Sequence, residues 1–174
     1  INELMLNDIT NIVFSSSAAI FGTPVSAKIA EDHQRDPINP YGRTKLTIEN
    51  FLEHICDIHG FNAVCLRYFN AAGAHHSGAI GEAHEPETHL IPRILKPSNT
   101  PTQPLQVYGN DYNTPDGTCI RDYVHVEDLA QAHLSCLDYM EANNGFSAFN
   151  LGNGSGFSVL EVINACEHVL GRQV

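Results

Sequence analysis

The segment Pro40–His59 is the longest uninterrupted periodic stretch of the chain, and it constrains the fold more than any other feature. Its apolar residues recur three and four positions apart, which is the spacing of one buried stripe on an α-helix. Gly60 follows the segment, where helices commonly end in the left-handed conformation. The pattern therefore predicts a helix over Pro40–His59. Its predicted buried stripe consists of Leu46, Phe51, Leu52, Ile55 and Ile58.

Two short apolar runs flank this helix in the sequence and predict buried β-strands. They are Asn11–Phe14, which leads into the polar run Ser15–Ser17, and Ala63–Phe69, which ends at Asn70. A strand, a helix and a second strand in this order form a parallel pair with a right-handed crossover. Both polar ends then open at the carboxyl edge of the sheet, where ligands bind in open α/β folds. A simple serine-rich turn is the alternative interpretation of Ser15–Ser17.

The middle of the chain, residues 75–116, differs in character from the strands and the helix before it. It is rich in proline and glycine and has no long periodic run, which is typical of a lid or a small second domain. Within it, the sequence predicts a short helix around Leu90–Leu95 and a short strand over Leu105–Tyr108.

Regular structure returns in the last third of the chain. Arg121–Val126 predicts a strand, and a helix of about 15 residues, an ordinary length, is expected from Glu127 onward. Phe149–Gly152 predicts another buried strand. Ser158–Glu161 has the pattern of a capping box, so we expect a final helix that begins there and ends at Gly171.

Composition and charge exclude several classes of protein. The 174 residues are 43% hydrophobic and 17% charged, which is typical of a globular domain. The chain carries 9 Lys and Arg against 20 Asp and Glu, so no basic face for nucleic acid is expected. No apolar run is long enough for a membrane span. The chain starts at Ile1 without a methionine, so we expect it to be an internal piece of a longer protein.

The cysteines and histidines are the candidate redox-active or metal-binding residues of the chain. The five cysteines are scattered and mostly lie in apolar segments, which suits reduced, buried thiols in a cytoplasmic protein. They are Cys56, Cys65, Cys119, Cys136 and Cys166. Four of the ten histidines cluster in a loop, but their spacing fits no standard zinc pattern, so we expect structural or solvent-facing side chains and no metal. These histidines are His75, His76, His84 and His89.

Tyr41 and Lys45 form the most suggestive pair in the chain. They lie four residues apart, so on a helix both occupy one face and the ammonium can approach the phenol. A nearby cation favours the phenolate form of a tyrosine, which is the form that accepts a proton. Because the chain has six tyrosines, a chance pair on an exposed helical face is the alternative.

Several motifs in order along the chain together resemble the extended short-chain dehydrogenase/reductase family, and more narrowly its epimerases that act on UDP-glucose. The resemblance covers nearly the whole chain, and its order and spacing are more specific than any single motif. The motifs are Ser15–Ala18, Pro40–Lys45, Leu66–Asn70 with Gly73–His75, Gly109–Tyr112 with Asp116–Thr118, and Arg121–Leu129.

The resemblance implies an α/β fold: the C-terminal half of a Rossmann-like, doubly wound parallel sheet, with part of a smaller substrate-binding domain. Residues 1–73 would be the second half of the NAD-binding domain and contain the catalytic groups, and residues 74–121 would belong to the UDP-sugar domain. Residues 122–154 would return to the Rossmann domain, and residues 155–174 would begin the C-terminal substrate segment. Full-length relatives of this kind are expected to be homodimers.

The resemblance also implies the chemistry. Tyr41 would remove the proton from the sugar 4-hydroxyl, Lys45 would favour its phenolate and hold the nicotinamide ribose, and Ser17 would bridge the hydroxyl and the phenol. NAD would oxidise C4 transiently, and the 4-keto sugar would turn over before it is reduced again, which interconverts UDP-glucose and UDP-galactose. Phe69 would lie beside the cofactor, which Ser17, Tyr41 and Lys45 also contact.

By similarity, a further set of residues would hold the UDP portion. Arg121 suits this role physically, because its planar guanidinium can bind a diphosphate through two hydrogen bonds; a surface ion pair is the alternative. Besides Ser17 and Tyr41, the implied substrate-binding residues are Asn70, His89, Leu90, Gln106, Val107, Tyr108 and Arg121.

The chain differs from the family pattern at three positions, and it does not include the family's preceding unit. Ala19, Phe21 and His89 stand where threonine, tyrosine and asparagine are usual. The first two changes remove hydroxyls near the sugar or cofactor, and His89 can still donate one hydrogen bond. The glycine-rich turn that seats the cofactor pyrophosphate belongs to a preceding unit that this chain lacks. We therefore expect the 174 residues alone neither to bind NAD tightly nor to turn over substrate.

Two other functions compete with the epimerase prediction. A nucleotide-sugar 4,6-dehydratase or decarboxylase shares the Tyr-x-x-x-Lys pair, but dehydratases resembling this chain carry Asp-Glu where it has Ala18 and Ala19. A non-catalytic module of the same fold is the other alternative, and the joint presence of Ser17, Tyr41 and Lys45 argues against it.

Overall fold

A computed structural model describes residues 1–96 and 105–174 of the chain. The proline-rich residues 97–104 of the predicted lid lie outside the described residues. The helices are α1 (Asn2–Leu6), α2 (Pro40–His59), α3 (Leu90–Leu95), α4 (Val126–Ala142) and α5 (Val159–Leu170). The strands are β1 (Asn11–Ser17), β2 (Asn62–Tyr68), β3 (Asn70–Ala72), β4 (Ile120–Arg121), β5 (Tyr123–His125), β6 (Phe146–Leu151) and β7 (Phe157–Ser158). A single 3-10 turn, Ala18–Phe21, follows β1.

The main sheet has three parallel strands in the order β1-β2-β6. In its register, Ser17 lies opposite Tyr68, and Tyr68 lies opposite Leu151, so the three strands end at one level. The predicted parallel unit of β1, α2 and β2 is therefore confirmed. Its polar strand ends share one edge of the sheet.

Helices cover both faces of this sheet, because the side chains of a strand alternate between its two sides. On the central strand β2, Ala63 and Cys65 belong to an apolar cluster that includes Leu52 of α2. Val64 and Leu66 belong to a second cluster with Met140 of α4. A parallel sheet covered on both faces is the doubly wound α/β arrangement, which confirms the predicted fold class.

Helix α2 has the predicted bounds, because its two ends are specified locally. Asn39 caps the first turn by accepting a hydrogen bond from the Gly42 backbone N–H (2.7 Å), and Pro40 occupies the first helical position. At the other end, Gly60 adopts the left-handed conformation with φ of 68°.

The predicted buried stripe of α2 is only partly correct. Leu52 and Ile55 are buried, whereas Phe51 and Ile58 are 49% and 58% exposed, and Leu46 is half-buried. The stripe is rotated because a charged residue, Glu49, occupies a core position toward the sheet. Apolar spacing alone cannot predict a buried carboxylate.

A smaller unit packs beside the main sheet. Ile94 of α3 and Val162 and Cys166 of α5 form its core, against which Leu105 and Tyr123 pack. Two short ladders join this unit to the rest of the chain: β3 pairs with β5 in parallel, and β4 pairs with β7 in antiparallel fashion. The predicted helices over Leu90–Leu95, from Glu127 and from the Ser158 capping box are confirmed.

Two strand predictions in this unit are wrong. Leu105–Tyr108 is not a strand, because within residues 1–96 and 105–174 no ladder partner pairs with it and only Leu105 is packed inward. Arg121–Val126 is not one strand, because the chain changes partners at Asp122, so that β4 and β5 belong to different sheets. The Asp122 carboxylate accepts the backbone N–H groups of Asn153 and Gly154, both at 2.9 Å, which fixes the break.

Among the helices of the described residues, none combines the length and the apolar character that crossing a bilayer requires. The five cysteines are free, and four of them are buried. Burial raises the pKa of these four thiols, so they stay protonated at neutral pH. They are Cys56, Cys65, Cys136 and Cys166.

Candidate active site

The serine run at the end of β1 places successive side chains on opposite faces of the sheet. Ser16 is 1% exposed, and its hydroxyl donates to Glu49 Oε1 at 2.5 Å. Ser17 is the N-cap of the following 3-10 turn and accepts the Ala19 backbone N–H at 3.2 Å. The run Ser15–Ser17 therefore ends strand β1, and its last residue also caps the turn that follows.

Gly42 sets how closely the start of α2 approaches this turn. A Cβ atom at residue 42 would lie 2.4 Å from the Ala19 carbonyl oxygen and 2.9 Å from the Pro37 side chain. Both distances are shorter than van der Waals contact allows, so only glycine fits here. The glycine inside the Tyr-Gly-Arg-Thr-Lys motif therefore lets the segment after Ser17 lie directly against the segment that carries Tyr41.

Tyr41 and Lys45 lie on one face at the start of α2, as their spacing predicted. Lys45 Nζ lies 5.5 Å from the centre of the Tyr41 ring and 4.9 Å from that of Phe14. The same ammonium donates to the Ser15 carbonyl oxygen at 2.8 Å, which ties it to the end of β1. Tyr41 is 56% exposed, and no hydrogen bond among the described residues reaches its hydroxyl or joins it to Ser17. A free phenol beside a fixed cation can exchange a proton with a bound ligand.

A buried ion pair underlies this edge of the sheet. Glu49 lies one helical turn beyond Lys45 and is 0% exposed, and Arg67 of β2 is 3% exposed. The guanidinium donates to both carboxylate oxygens, with Nη2 to Oε2 at 2.8 Å and Nε to Oε1 at 3.1 Å. It also donates to the Glu31 carbonyl oxygen at 2.9 Å. Together with Ser16, these groups link β1, α2, β2 and the loop between β1 and α2.

A second polar group lies on the other face of β1 and was not predicted. The Tyr68 hydroxyl lies 2.7 Å from both Ser15 Oγ and His133 Nε2. His133 Nδ1 donates to the Leu129 carbonyl oxygen at 2.8 Å, so the neutral ring presents Nε2 as an acceptor. Burial raises the pKa of Tyr68, which the hydrogen bond with Ser15 opposes, so Tyr68 remains a neutral phenol. The strand pattern placed Tyr68 in the core and gave no signal for this contact with α4.

The residues assigned to the UDP portion are distributed over the loop-rich side of the molecule. The Asn70 side chain donates to the Asp122 carbonyl oxygen at 2.8 Å. Arg121 is exposed and donates to the Ile120 carbonyl oxygen at 3.0 Å. Within the described ranges no carboxylate pairs with Arg121, so the alternative of a surface ion pair is not observed.

The other predicted contact residues are placed as follows. Tyr108 is 74% exposed, and its hydroxyl donates to Gln106 at 3.0 Å, while Val107 is 39% exposed. His89 contacts Glu82 just before α3, and Leu90, the first residue of α3, is half-buried in the small unit. Among the described residues, no hydrogen bond joins any of these five to Tyr41 or Ser17.

Phe69 lies at the end of β2, and beside it a cavity of about 490 Å³ opens beyond the carboxyl end of β6. A Cβ atom at residue 152 would lie 2.9 Å from the Phe69 ring, so Gly152 admits this ring. The cavity is lined by Tyr123–His125, Asp128 and Asn150–Asn153. It lies where open α/β sheets bind ligands.

The chain matches the NAD dependent epimerase/dehydratase family over residues 1–152, and it belongs to that family. The UDP-glucose 4-epimerase of Halalkalibacterium halodurans is 47% identical over 174 residues, and that of Lacticaseibacillus casei is 50% identical over 167 residues. These alignments cover 100% and 95% of this chain but 52% and 50% of the two relatives. The chain thus spans about half the length of the curated relatives it matches.

Solved structures give the same result. The crystal structure of UDP-glucose 4-epimerase from Brucella ovis in complex with NAD has a TM-score of 0.93 and 46% identity, and covers 99% of this chain and 53% of that chain. The enzyme from Bifidobacterium longum in complex with NAD+ and UDP has a TM-score of 0.92 and 40% identity, over 99% and 52% of the two chains. The family resemblance and the NAD dependence predicted from the sequence are confirmed.

The residues of this chain fit one end of NAD. The Lys45 ammonium and the unpartnered Tyr41 hydroxyl are suited to the hydroxyl groups of a ribose. A pyrophosphate needs free backbone N–H groups, and in the Gly152–Gly156 turn those of Asn153 and Gly154 already donate to the Asp122 carboxylate. The chain thus supplies hydrogen-bond donors for the nicotinamide ribose. Two backbone N–H groups of its glycine-rich turn after β6 are already bound to Asp122.

Proposed function

We propose that this chain is the catalytic part of an NAD-dependent enzyme that interconverts UDP-glucose and UDP-galactose, as in galactose metabolism. The observation that carries the proposal is the Lys45 ammonium, held by the Ser15 carbonyl oxygen beside the exposed Tyr41 phenol at the carboxyl edge of the sheet. The names of the similar proteins, UDP-glucose 4-epimerases in every case cited above, support the same reaction.

The proposed roles follow from chemistry at this edge. The positive charge of Lys45 favours the phenolate form of Tyr41, and this phenolate takes the proton of the sugar 4-hydroxyl and becomes a neutral phenol. Ser17, at the end of β1, bridges the sugar hydroxyl and the phenol. NAD, when bound, supplies the reversible oxidant for C4, with Phe69 beside it. Oxidation of C4 removes a hydride and a proton, so inversion requires the 4-keto sugar to rotate before both return and the hydride is added to the opposite face of C4.

That rotation requires a fixed anchor at the other end of the substrate. The proposed anchor is the UDP portion, held by Asn70, Arg121 and the residues 89–90 and 106–108. Arg121 supports this role because its guanidinium is exposed and has no carboxylate partner within the described residues. An arginine in an acidic chain is thus available for a diphosphate.

Ala18 and Ala19 favour epimerisation over the related dehydration. Both residues lie in the 3-10 turn directly after Ser17. Elimination of water across C5 and C6 needs an acid and a base near the sugar, and these two methyl groups cannot supply either. A dehydratase therefore remains the less supported function.

The chain is proposed to contain parts of a cofactor domain and parts of a substrate domain. Residues 1–73 and 122–154 would be parts of the cofactor domain, and they contain all three strands of the main sheet. Residues 74–121 and 155–174 would be parts of the substrate domain, and the packing of α3 on α5 and the pairing of β4 with β7 join them. The isolated 174 residues would be inactive without a pyrophosphate-binding turn.

The exposed face of α2 supports the proposal of a homodimer in the longer protein. Ile48, Phe51 and Ile58 on this helix are 39%, 49% and 58% exposed, and a partner subunit packed on α2 would cover them. The five free cysteines support a reducing compartment such as the cytoplasm.

The experiment that tests the function uses a full-length protein that contains these 174 residues. Incubation with UDP-glucose and NAD, followed by NMR, should show UDP-galactose accumulating to equilibrium. Parallel incubations with N-acetylated and pentose UDP-sugars would define the range of substrates. Formation of a 4-keto-6-deoxy sugar in place of UDP-galactose would support a dehydratase instead.

A further inference from the structure

Four potential metal ligands converge in the loop that precedes α3. Glu82, His84, Glu87 and His89 each offer one ligand atom, and these four atoms all lie within 4.8 Å of one another. These residues follow the order Glu-x-His-x-x-Glu-x-His, in which two carboxylates alternate with two imidazoles. The sequence-based prediction used only the spacing between histidines and left out the two glutamates. The histidine spacing alone predicts no metal site, whereas the folded loop brings two carboxylates next to two imidazoles.

The four ligand atoms of this cluster lie close enough together to surround one small ion after the side chains adjust. Glu82 Oε1 lies 2.8 Å from His84 Nδ1 and also contacts His89 Nδ1. Glu87 Oε1 lies 3.9 Å and 3.8 Å from the same two nitrogen atoms. Tetrahedral zinc with bonds of roughly 2.0 to 2.2 Å needs its ligand atoms roughly 3.3 to 3.6 Å apart. The separations that involve Glu82 are shorter than this range and those that involve Glu87 are longer, so binding of the ion requires these side chains to move.

Glu87 provides an independent sign that a ligand is needed. Its side chain is only 4% exposed, although those of His84 and His89 are 57% and 60% exposed. Glu87 Oε1 accepts the backbone N–H groups of Thr88 and His89, which holds the carboxylate against the cluster. Glu87 Oε2 is buried and has no hydrogen-bond partner among the described residues. An unpartnered buried carboxylate oxygen is costly, and a cation bound to the Glu87 carboxylate would offset that cost.

We propose that Glu82, His84, Glu87 and His89 bind one Zn²⁺ ion. Two imidazoles with two carboxylates form the mixed nitrogen and oxygen set that zinc accepts in tetrahedral geometry. Mg²⁺ and Ca²⁺ prefer oxygen ligands alone and higher coordination numbers, so the cluster discriminates against them. His89 is also among the residues proposed to hold the UDP portion, so Zn²⁺ binding is tested in the absence of nucleotide.

A second cluster, His75 with His76 and Glu127, carries no such proposal. It offers three ligand atoms, and its carboxylate is 38% exposed. Glu127 Oε1 already accepts both the backbone N–H and the ring of His76, at 3.0 Å and 2.7 Å. No buried, unpartnered oxygen of this cluster occurs in the described residues.

The test is calorimetric titration of the purified, chelator-treated chain with ZnCl₂ and, separately, with MgCl₂. We expect one Zn²⁺ site per chain and no comparable Mg²⁺ binding. His84→Ala should weaken Zn²⁺ binding by about tenfold or more, because loss of a ligand costs at least as much as loss of a supporting residue. Glu87→Gln keeps the volume and the backbone hydrogen bonds but removes the charge, and it should weaken binding similarly.

His54→Ala is the matched control, because it removes an exposed histidine on α2 that belongs to neither cluster. It should bind Zn²⁺ like the unchanged chain. Co²⁺ should give the strong visible absorption of a tetrahedral complex in the unchanged chain and in the control, but not in His84→Ala. Absence of Zn²⁺ binding, or equal weakening in His54→Ala and His84→Ala, would overturn the proposal. Neither result depends on epimerase activity, because no nucleotide is present.

Discussion

The edge formed by β1 and α2 brings polar side chains together, and so does the loop-rich region, which consists of residues 73–96 and 105–118. The two regions hold these side chains in opposite ways. At the β1–α2 edge the supporting groups are buried, as in the pair of Glu49 and Arg67. In the loop-rich region most of them are exposed, as in His84 and Asp116. The first region can keep reacting groups at fixed positions, whereas the second depends on local hydrogen bonds or on a bound ligand to order it.

The largest effect should come from breaking the buried pair at the β1–α2 edge. Glu49→Ala leaves the Arg67 guanidinium in the core without its counter-ion, and such changes cost about 3 to 5 kcal/mol. Denaturant unfolding of the chain would measure the loss. Glu53→Ala, one turn further along α2 at an exposed position, is the matched control and should change stability by less than about 0.5 kcal/mol. Equal effects of the two substitutions would remove the distinction between the regions.

A smaller but still clear effect is expected at the contact between the start of α2 and the turn after Ser17. Gly42→Ala places a methyl group 2.4 Å from the Ala19 carbonyl oxygen, so the helix start must move, at a cost of about 1 to 3 kcal/mol. Gly81→Ala serves as the control in the loop-rich region, because its Cβ would meet the nearest atom at an ordinary 3.5 Å. Thermal unfolding of both variants should show a loss only for Gly42→Ala; an unchanged Gly42→Ala variant would contradict the close approach.

In the loop-rich region, Asp116 should contribute stability that depends on pH. Hydrogen bonds from Ser158 and then from Thr118 lower the pKa of Asp116 in the folded chain. A carboxyl group with a lowered folded pKa stabilises the fold above its unfolded pKa of about 3.9, and this contribution is lost as the pH falls through the folded pKa.

Asp116→Asn should therefore lower the melting temperature near neutral pH. The difference in melting temperature between this variant and the unchanged chain should become smaller at about pH 3. Thermal unfolding at several pH values would measure this. Asp138→Asn, exposed on α4, is the control and should shift the melting temperature little. A gap between Asp116→Asn and the unchanged chain that stays constant or widens toward low pH would show that the hydrogen bonds to Asp116 do not act as described.

The smallest effect is expected at His84 in the absence of metal. Its contact with Glu82 is a surface pair, and such pairs contribute about 0 to 1 kcal/mol. His84→Ala should therefore unfold within about 0.5 kcal/mol of the unchanged chain when a chelator is present. A much larger loss under these conditions would mean that the loop-rich region is held as firmly as the β1–α2 edge.

Regular structure with clear local signals could be predicted from the sequence. The bounds of α2 follow from Asn39, Pro40 and Gly60, and the i and i+4 spacing of Tyr41 and Lys45 gives their shared face. The strand and helix order likewise gives the parallel sheet, because parallel neighbours require a crossover helix.

Contacts between distant segments could not be predicted in the same way. Glu49 reads as a surface residue in a helical pattern, and its burial depends on Arg67 from another element. The hydrogen bonds of Tyr68 with His133 and the approach of Gly42 to Ala19 depend on packing across the sheet edge. The convergence of four ligands in the loop before α3 has no periodic signal, because loops follow no fixed period.

The central claim is that Tyr41 exchanges the proton of the sugar 4-hydroxyl. The most direct measurement compares the rate of UDP-galactose formation from UDP-glucose in the longer protein with and without Tyr41→Phe. Loss of a general base costs about a hundredfold or more, so the rate should fall by at least that factor while UDP binding is retained. Tyr139→Phe, on α4 across the sheet, should leave the rate nearly unchanged. Turnover by Tyr41→Phe at the rate of the unchanged protein would contradict the account.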